Sequence, residues 1–133
     1  MDKITKRTVF VFFFLGAFWD AVTTFGGVND ITNGVLFSFI LTAFINGILA
    51  LTFLPIKRSD FIGFFCVIMW LAAIGGDLTT SFRGNWRISN IPYPSQLQYF
   101  LIGLSAVFTS GSTVALSYIV FKEDIFGFYG GKR

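Results

Sequence analysis

Four apolar runs joined by short polar segments dominate this chain of 133 residues. They cover about 9–27, 35–54, 61–80 and 96–120. A helix needs about 20 apolar residues to cross the hydrocarbon of a bilayer. Unpaired strands cannot cross lipid, because their backbone groups would go unsatisfied, so these runs must be helices. Asn29-Asp30 and Asn33-Gly34 supply turn chemistry between the first two. Pro55 stops the second, and Pro92 and Pro94 prevent the segment before the fourth from being helical throughout. The expectation is an all-α integral membrane protein, a four-helix transmembrane bundle forming one domain over 1–133.

Composition fits that class. The chain is 54% hydrophobic and 13% charged, where soluble domains carry roughly 25% charged residues. Its nineteen Phe suit a surface that faces acyl chains. The net charge of +3 does not make it a nucleic-acid binder, because the ten Lys and Arg stand singly or in pairs at the ends of apolar runs.

Their distribution sets the expected topology. With four spans, both termini and the middle loop share one side. Lys3, Lys6, Arg7, Lys57, Arg58, Lys122, Lys132 and Arg133 lie there, and only Arg83 and Arg87 lie on the other. The positive-inside rule then places both termini in the cytoplasm. Gly16-Ala17-Phe18-Trp19 lacks a small-x-small cleavage pattern, so the first run reads as an uncleaved span. The expected location is the plasma membrane or another energy-transducing membrane.

The octet Asp20-Ala-Val-Thr-Thr-Phe-Gly-Gly27 returns 57 residues on as Asp77-Leu-Thr-Thr-Ser-Phe-Arg-Gly84. A second match pairs Asp60-Phe-Ile-Gly-Phe-Phe65 with Asp124-Ile-Phe-Gly-Phe-Tyr129 at an offset of 64. An insertion of seven residues in the longer outer loop accounts for the slip. The chain therefore reads as two tandem helical hairpins, about 1–58 and 59–133, related by a pseudo two-fold along the membrane normal. The final segment, Asp124 to Tyr129, has no apolar run after it and is expected along the inner membrane surface.

Each octet carries an acid inside a span, and an intramembrane ionisable group is a functional suspect by default. Asp20 shares a helix face with Thr23, Thr24 and Gly27, and Asp77 shares one with Thr80, Ser81 and Gly84. Hydroxyls can hydrogen-bond a carboxylate, and glycines let another helix come close. Two uses fit this set. One is a polar packing clamp at the outer end of each hairpin, paired with Arg83 or Arg87. The other is a proton or cation site made by two symmetric carboxylates.

The even spans are built for helix packing. The second carries Ala43, Asn46, Gly47 and Ala50, and the fourth carries Gly103, Ser105, Ala106 and the run Thr109-Ser110-Gly111-Ser112-Thr113. Small residues let backbones meet, and Ser, Thr and Asn bond across the contact. They are expected to form a tight seam, within the bundle or against a partner.

With no His in the chain, imidazole catalysis and His-ligated metal sites are excluded. The single Cys66 lies in an apolar run, which leaves no disulfide or thiolate cluster. No P-loop or dinucleotide fingerprint is present. The chain is read as a non-enzyme with no catalytic residues, no cofactor and no metal. Its expected partners are the lipid bilayer and other integral-membrane subunits, or further copies of itself. Two functions follow. The first is a non-catalytic subunit packed within a larger membrane complex of respiratory, photosynthetic or monooxygenase type. The alternative is a small homo-oligomeric ion channel or proton/cation-coupled transporter using Asp20 and Asp77.

Overall fold

The computed structural model describes residues 3–51 and 61–123. Four helices follow in order: α1 (Lys3–Thr32), α2 (Val35–Leu51), α3 (Phe61–Ser89) and α4 (Gln96–Glu123). Helices α1, α3 and α4 are long and apolar enough to span a membrane, and α2 is apolar over a shorter described length. The middle segment with Pro55 and the tail from Asp124 lie outside the described residues.

Local chemistry explains the helix ends. Helices α1 and α3 run past the expected limits near 27 and 80, because their polar last turns need not be buried in lipid. Each is followed by an Asn in the left-handed region, Asn33 at φ 52° and Asn90 at φ 53°. Asn tolerates that conformation better than most residues, which makes it a fitting helix terminator. The Asn33 N–H donates to the Asn29 carbonyl at 2.9 Å. At the start of α4, the Gln98 N–H donates to Ser95 Oγ at 3.3 Å and the Ser95 N–H donates to Gln98 Oε1 at 2.7 Å. That reciprocal capping box satisfies two otherwise orphaned amides.

The bundle is polar inside and apolar outside. Its buried set includes two acids and many Ser and Thr, whereas Phe12, Phe18, Phe37, Phe39, Phe64 and Phe100 are each at least half exposed. In water this would be an aggregation surface, and in lipid it is the expected exterior. A small apolar cluster of Ile45, Leu49 and Ala73, flanked by Trp70 and Ile74, packs α2 against α3.

Buried positions recur at the same two offsets as the sequence matches. In α1 they are Gly16, Asp20, Thr23, Thr24, Gly27 and Val28. The residues 57 further on, Ala73, Asp77, Thr80, Ser81, Gly84 and Asn85, are also buried. In α2 they are Ser38, Thr42, Ile45 and Leu49, and the residues 64 further on, Ile102, Ala106, Thr109 and Thr113, are buried too.

Helices α1 and α3 meet backbone to backbone. A Cβ on Gly27 would fall on the Thr80 carbonyl, and a Cβ on Gly84 would fall on the Thr23 carbonyl. Gly16 makes room for the Ser112 side chain of α4 in the same way. The small residues of α2 behave differently from the expected interior seam. Gly47 has nothing within 4 Å of a built Cβ, and neither does Gly111 in α4. Ala43 is exposed. The reason is helical phase: the inward row of α2 is 38, 42, 45 and 49, and position 47 is turned roughly 200° from 45.

Candidate functional site

Asp20 and Asp77 stand on the inward faces of α1 and α3, each with no exposed surface. The close approach at Gly27 and Gly84 brings the two carboxyls into one centre rather than two separate clamps. Their partners cross between the helices reciprocally. Ser81 Oγ of α3 lies 2.8 Å from Asp20 Oδ1, and Thr24 Oγ1 of α1 lies 2.7 Å from Asp77 Oδ1. Thr24 Oγ1 and Ser81 Oγ are themselves 2.8 Å apart. An unbroken row of four oxygens therefore connects one carboxyl to the other.

Thr23 and Thr80 support the row without joining it. The Thr23 hydroxyl donates to the Asp20 carbonyl at 3.0 Å, with Ser81 Oγ at 3.4 Å. The Thr80 hydroxyl donates to the carbonyls of Gly76 at 2.8 Å and Asp77 at 3.1 Å. Such bonds to the preceding turn satisfy a buried hydroxyl within its own helix.

Helix α4 sets Ser110 beside both acids and Thr113 on Asp20. Thr113 donates to Oδ2 at 2.7 Å and Ser110 to Oδ1 at 3.3 Å. Asp20 thus has hydroxyls from α3 and α4 on both of its oxygens. Asp77 Oδ2, by contrast, is buried with no hydrogen-bond partner among the described residues. The position in α2 that lies 64 before Thr113 is Leu49, which is fully buried. Leu49 carries no donor, and its cluster includes Ala73, one helical turn before Asp77.

The hydrogen bonds of the remaining packing residues stay within their own helices. The Asn46 amide donates to the Thr42 carbonyl at 3.0 Å, Thr109 to Ala106 at 3.1 Å and Ser112 to Phe108 at 2.8 Å. Gly47 and Gly111 touch neither carboxyl and open away from the bundle centre. Arg83 and Arg87 do not pair with Asp20 or Asp77. They face Asp30 at 4.0 and 3.5 Å, half exposed at the other end of α1. Asp30 and the two arginines also line a mouth of about 660 Å³ with Trp86, Asn90, Ile91 and Pro92.

Two parts of the centre and one feature of the repeat were not anticipated. Ser110 and Thr113, expected to bond across a packing seam, meet the Asp20 carboxyl of α1 there. Asn85 receives the Trp19 indole N–H at 3.1 Å and donates to the Ser81 carbonyl at 2.8 Å, holding Ser81 in place. The octet match also continues further than its Gly, since Ile31-Thr32-Asn33 pairs with Ile88-Ser89-Asn90 at the same offset of 57. That continuation was available as a signal for the two Asn-terminated helix ends.

Chemically, the centre is a pair of carboxyls in an apolar surround, wired by hydroxyls and with no cation among these contacts. Among the described residues no cluster of His, Cys, Asp and Glu is arranged to hold a metal ion. Comparison with protein families, curated proteins and solved structures returned no match for this chain.

Proposed function

We propose that this chain is a non-catalytic multi-pass membrane subunit that packs within a larger membrane protein complex. In this reading it consists of two tandem hairpins about a pseudo two-fold along the membrane normal, with both termini in the cytoplasm. The membrane is the plasma membrane or another energy-transducing one. The observation that carries the reading is the enclosure of the polar centre. Asp20, Asp77, Thr23, Thr24 and Ser81 are all essentially inaccessible, and nearly all of their bonds are made inside the bundle. A centre of that kind ties helices together, because polar side chains in an apolar medium favour partners on neighbouring helices. The apolar exterior of α2, with Leu36, Phe37, Phe39 and Phe44 all exposed, is left for lipid or for other subunits. The hairpin duplication is supported by the shared offsets of buried residues and by the reciprocal glycine and hydroxyl contacts.

Extraction in a mild detergent followed by mass spectrometry of the native assembly tests this. Co-purification in fixed ratio with larger membrane subunits is the expected result. A homo-oligomer containing nothing else would replace the reading with the transporter alternative. One observation favours that alternative: the centre holds two acids where neutral hydroxyls and amides would suffice for packing. Proton or cation flux in proteoliposomes that is lost in Asp20→Asn or Asp77→Asn, with assembly intact, would establish it.

A further inference from the structure

The row Asp20–Ser81–Thr24–Asp77 contains three oxygen–oxygen contacts, of 2.8, 2.8 and 2.7 Å. Each has the separation of an O–H···O hydrogen bond. Two hydroxyls supply only two hydrogens for three contacts. With both acids ionised, Ser81 would donate to Asp20 and Thr24 to Asp77. The central contact would then hold two oxygens facing each other with no hydrogen between them. Thr23 does not repair this, because its hydrogen goes to the Asp20 carbonyl at 3.0 Å or to Ser81 Oγ at 3.4 Å and in neither place lies between Thr24 and Ser81.

We propose that Asp20 and Asp77 form a binding site for a single proton, carried on Asp77 and linked to Asp20 through Thr24 and Ser81. The proton completes the row. Asp77 Oδ1–H donates to Thr24 Oγ1, Thr24 donates to Ser81 Oγ, and Ser81 donates to Asp20 Oδ1. Every contact then contains one hydrogen.

The surroundings decide which acid holds it. Asp20 receives Ser81, Ser110 and Thr113, so a negative charge there is met by three hydroxyl donors. Asp77 has one short hydroxyl contact, from Thr24, shares Ser110 with Asp20, and has a buried Oδ2 without a partner. A buried carboxylate oxygen without a donor is costly, whereas the carbonyl oxygen of a neutral acid tolerates the same place better. The groups facing the pair are Ser110 and Thr113 from α4 and the hydroxyls of α1 and α3. Helix α2 packs the apolar cluster of Ile45 and Leu49 against Ala73, one helical turn before Asp77. Arg83 and Arg87 are engaged with Asp30, and Lys6 and Arg7 stand more than a dozen residues before Asp20, about 20 Å along the helix.

The row is also reversible. If the proton on Asp77 passes to Thr24 while those of Thr24 and Ser81 each move one oxygen along, one proton is transferred to Asp20 and the charge moves to Asp77. No atom other than hydrogen is displaced. This inference does not depend on the assembly reading above, since a structural subunit and a transporter would both need the third hydrogen.

Infrared spectroscopy of the purified full chain in lipid at neutral pH tests the proposal. The expected spectrum has a protonated-carboxyl C=O band equal to one acid per chain, shifting on exchange into D2O. Asp77→Asn should remove that band entirely, and Asp30→Asn should leave it unchanged. Thr24→Val keeps the shape but removes the link, and should shift the band without loss of area. Absence of the band from the folded wild-type protein overturns the proposal without any variant. A band that survives Asp77→Asn undiminished overturns it as well.

Discussion

Replacing Gly27 with Ala puts a methyl group onto the Thr80 carbonyl, and replacing Gly84 puts one onto the Thr23 carbonyl. Both obstacles are helical backbone, so neither can swing aside as a side chain would. The helices must part instead, and overpacking of this kind costs about 1–3 kcal/mol. Ala has the better helix propensity, by up to about 1 kcal/mol, which offsets part of that cost. A net loss of about 1–2 kcal/mol for each single variant follows, roughly a tenfold shift in the folding equilibrium. The two substitutions act on one interface, so they should not add. Once the first methyl has separated α1 from α3, the second meets less resistance, and the double variant should fall short of the sum by more than about 0.5 kcal/mol. Gly47→Ala and Gly111→Ala are the controls, because a Cβ at either position meets nothing within 4 Å. They should be neutral or slightly stabilising. The assay is reversible unfolding in mixed detergent micelles, followed by helix content. A neutral Gly27→Ala, or strict additivity in the double variant, would refute the backbone contact between α1 and α3.

The other predictions concern the polar centre and the topology. Thr113→Val removes the donor at 2.7 Å from Asp20 Oδ2 and should cost about 1–2 kcal/mol by the same assay. On the duplication reading Leu49→Thr offers Asp77 Oδ2 a hydroxyl, and should weaken the protonated-carboxyl band while Leu49→Val leaves it alone. Asp30→Asn should change stability by less than about 1 kcal/mol, since Asp30 and its arginines are half exposed and such pairs contribute little. Single cysteines at Asn33 and Ser89, in a Cys66→Ala background, should react with impermeant reagent from outside intact cells, whereas one at Ser59 should not. Labelling at Ser59 would reverse the assigned orientation.

The sequence made some features plain and hid others for physical reasons. Helix count followed from apolar length, because a bilayer imposes one length scale on every span. Asp20, Thr23, Thr24, Asp77, Thr80 and Ser81 were identifiable as buried because polar residues inside an apolar run have no favourable place but the interior. Which side chain meets which was not readable. That depends on the lateral order and phase of four helices, and periodicity on one helix carries no information about the next. Helical phase was also where the small residues misled. Gly47 and Gly27 look alike in sequence, yet one opens away from the bundle and the other touches a facing carbonyl. The arginine pairing failed on distance. Arg83 and Arg87 are six and ten residues beyond Asp77, about 9 and 15 Å along the helix. Asp30, near the end of α1, is where they arrive instead.

The departures from equivalence between the two halves are as informative as the equivalences. On the duplication reading, the four inward positions of α2 correspond to four inward positions of α4, and all four pairs exchange groups of different polarity. Ser38 and Thr42 correspond to Ile102 and Ala106, whereas Ile45 and Leu49 correspond to Thr109 and Thr113. Hydroxyls are thus withdrawn from one level of α4 and supplied at another, beside Asp20. Identical halves would give both carboxyls the same partners, and a proton between them would have no preferred side. Placing Thr113 in one half and Leu49 in the other breaks that degeneracy, because α4 offers a hydroxyl donor where α2 has an aliphatic side chain. The shared Asp-Thr-Gly framework fixes the separation of the acids, and the even helices decide how they differ. A change at 49 or 113 should therefore redistribute charge within the centre, whereas a change at 27 or 84 should dismantle it.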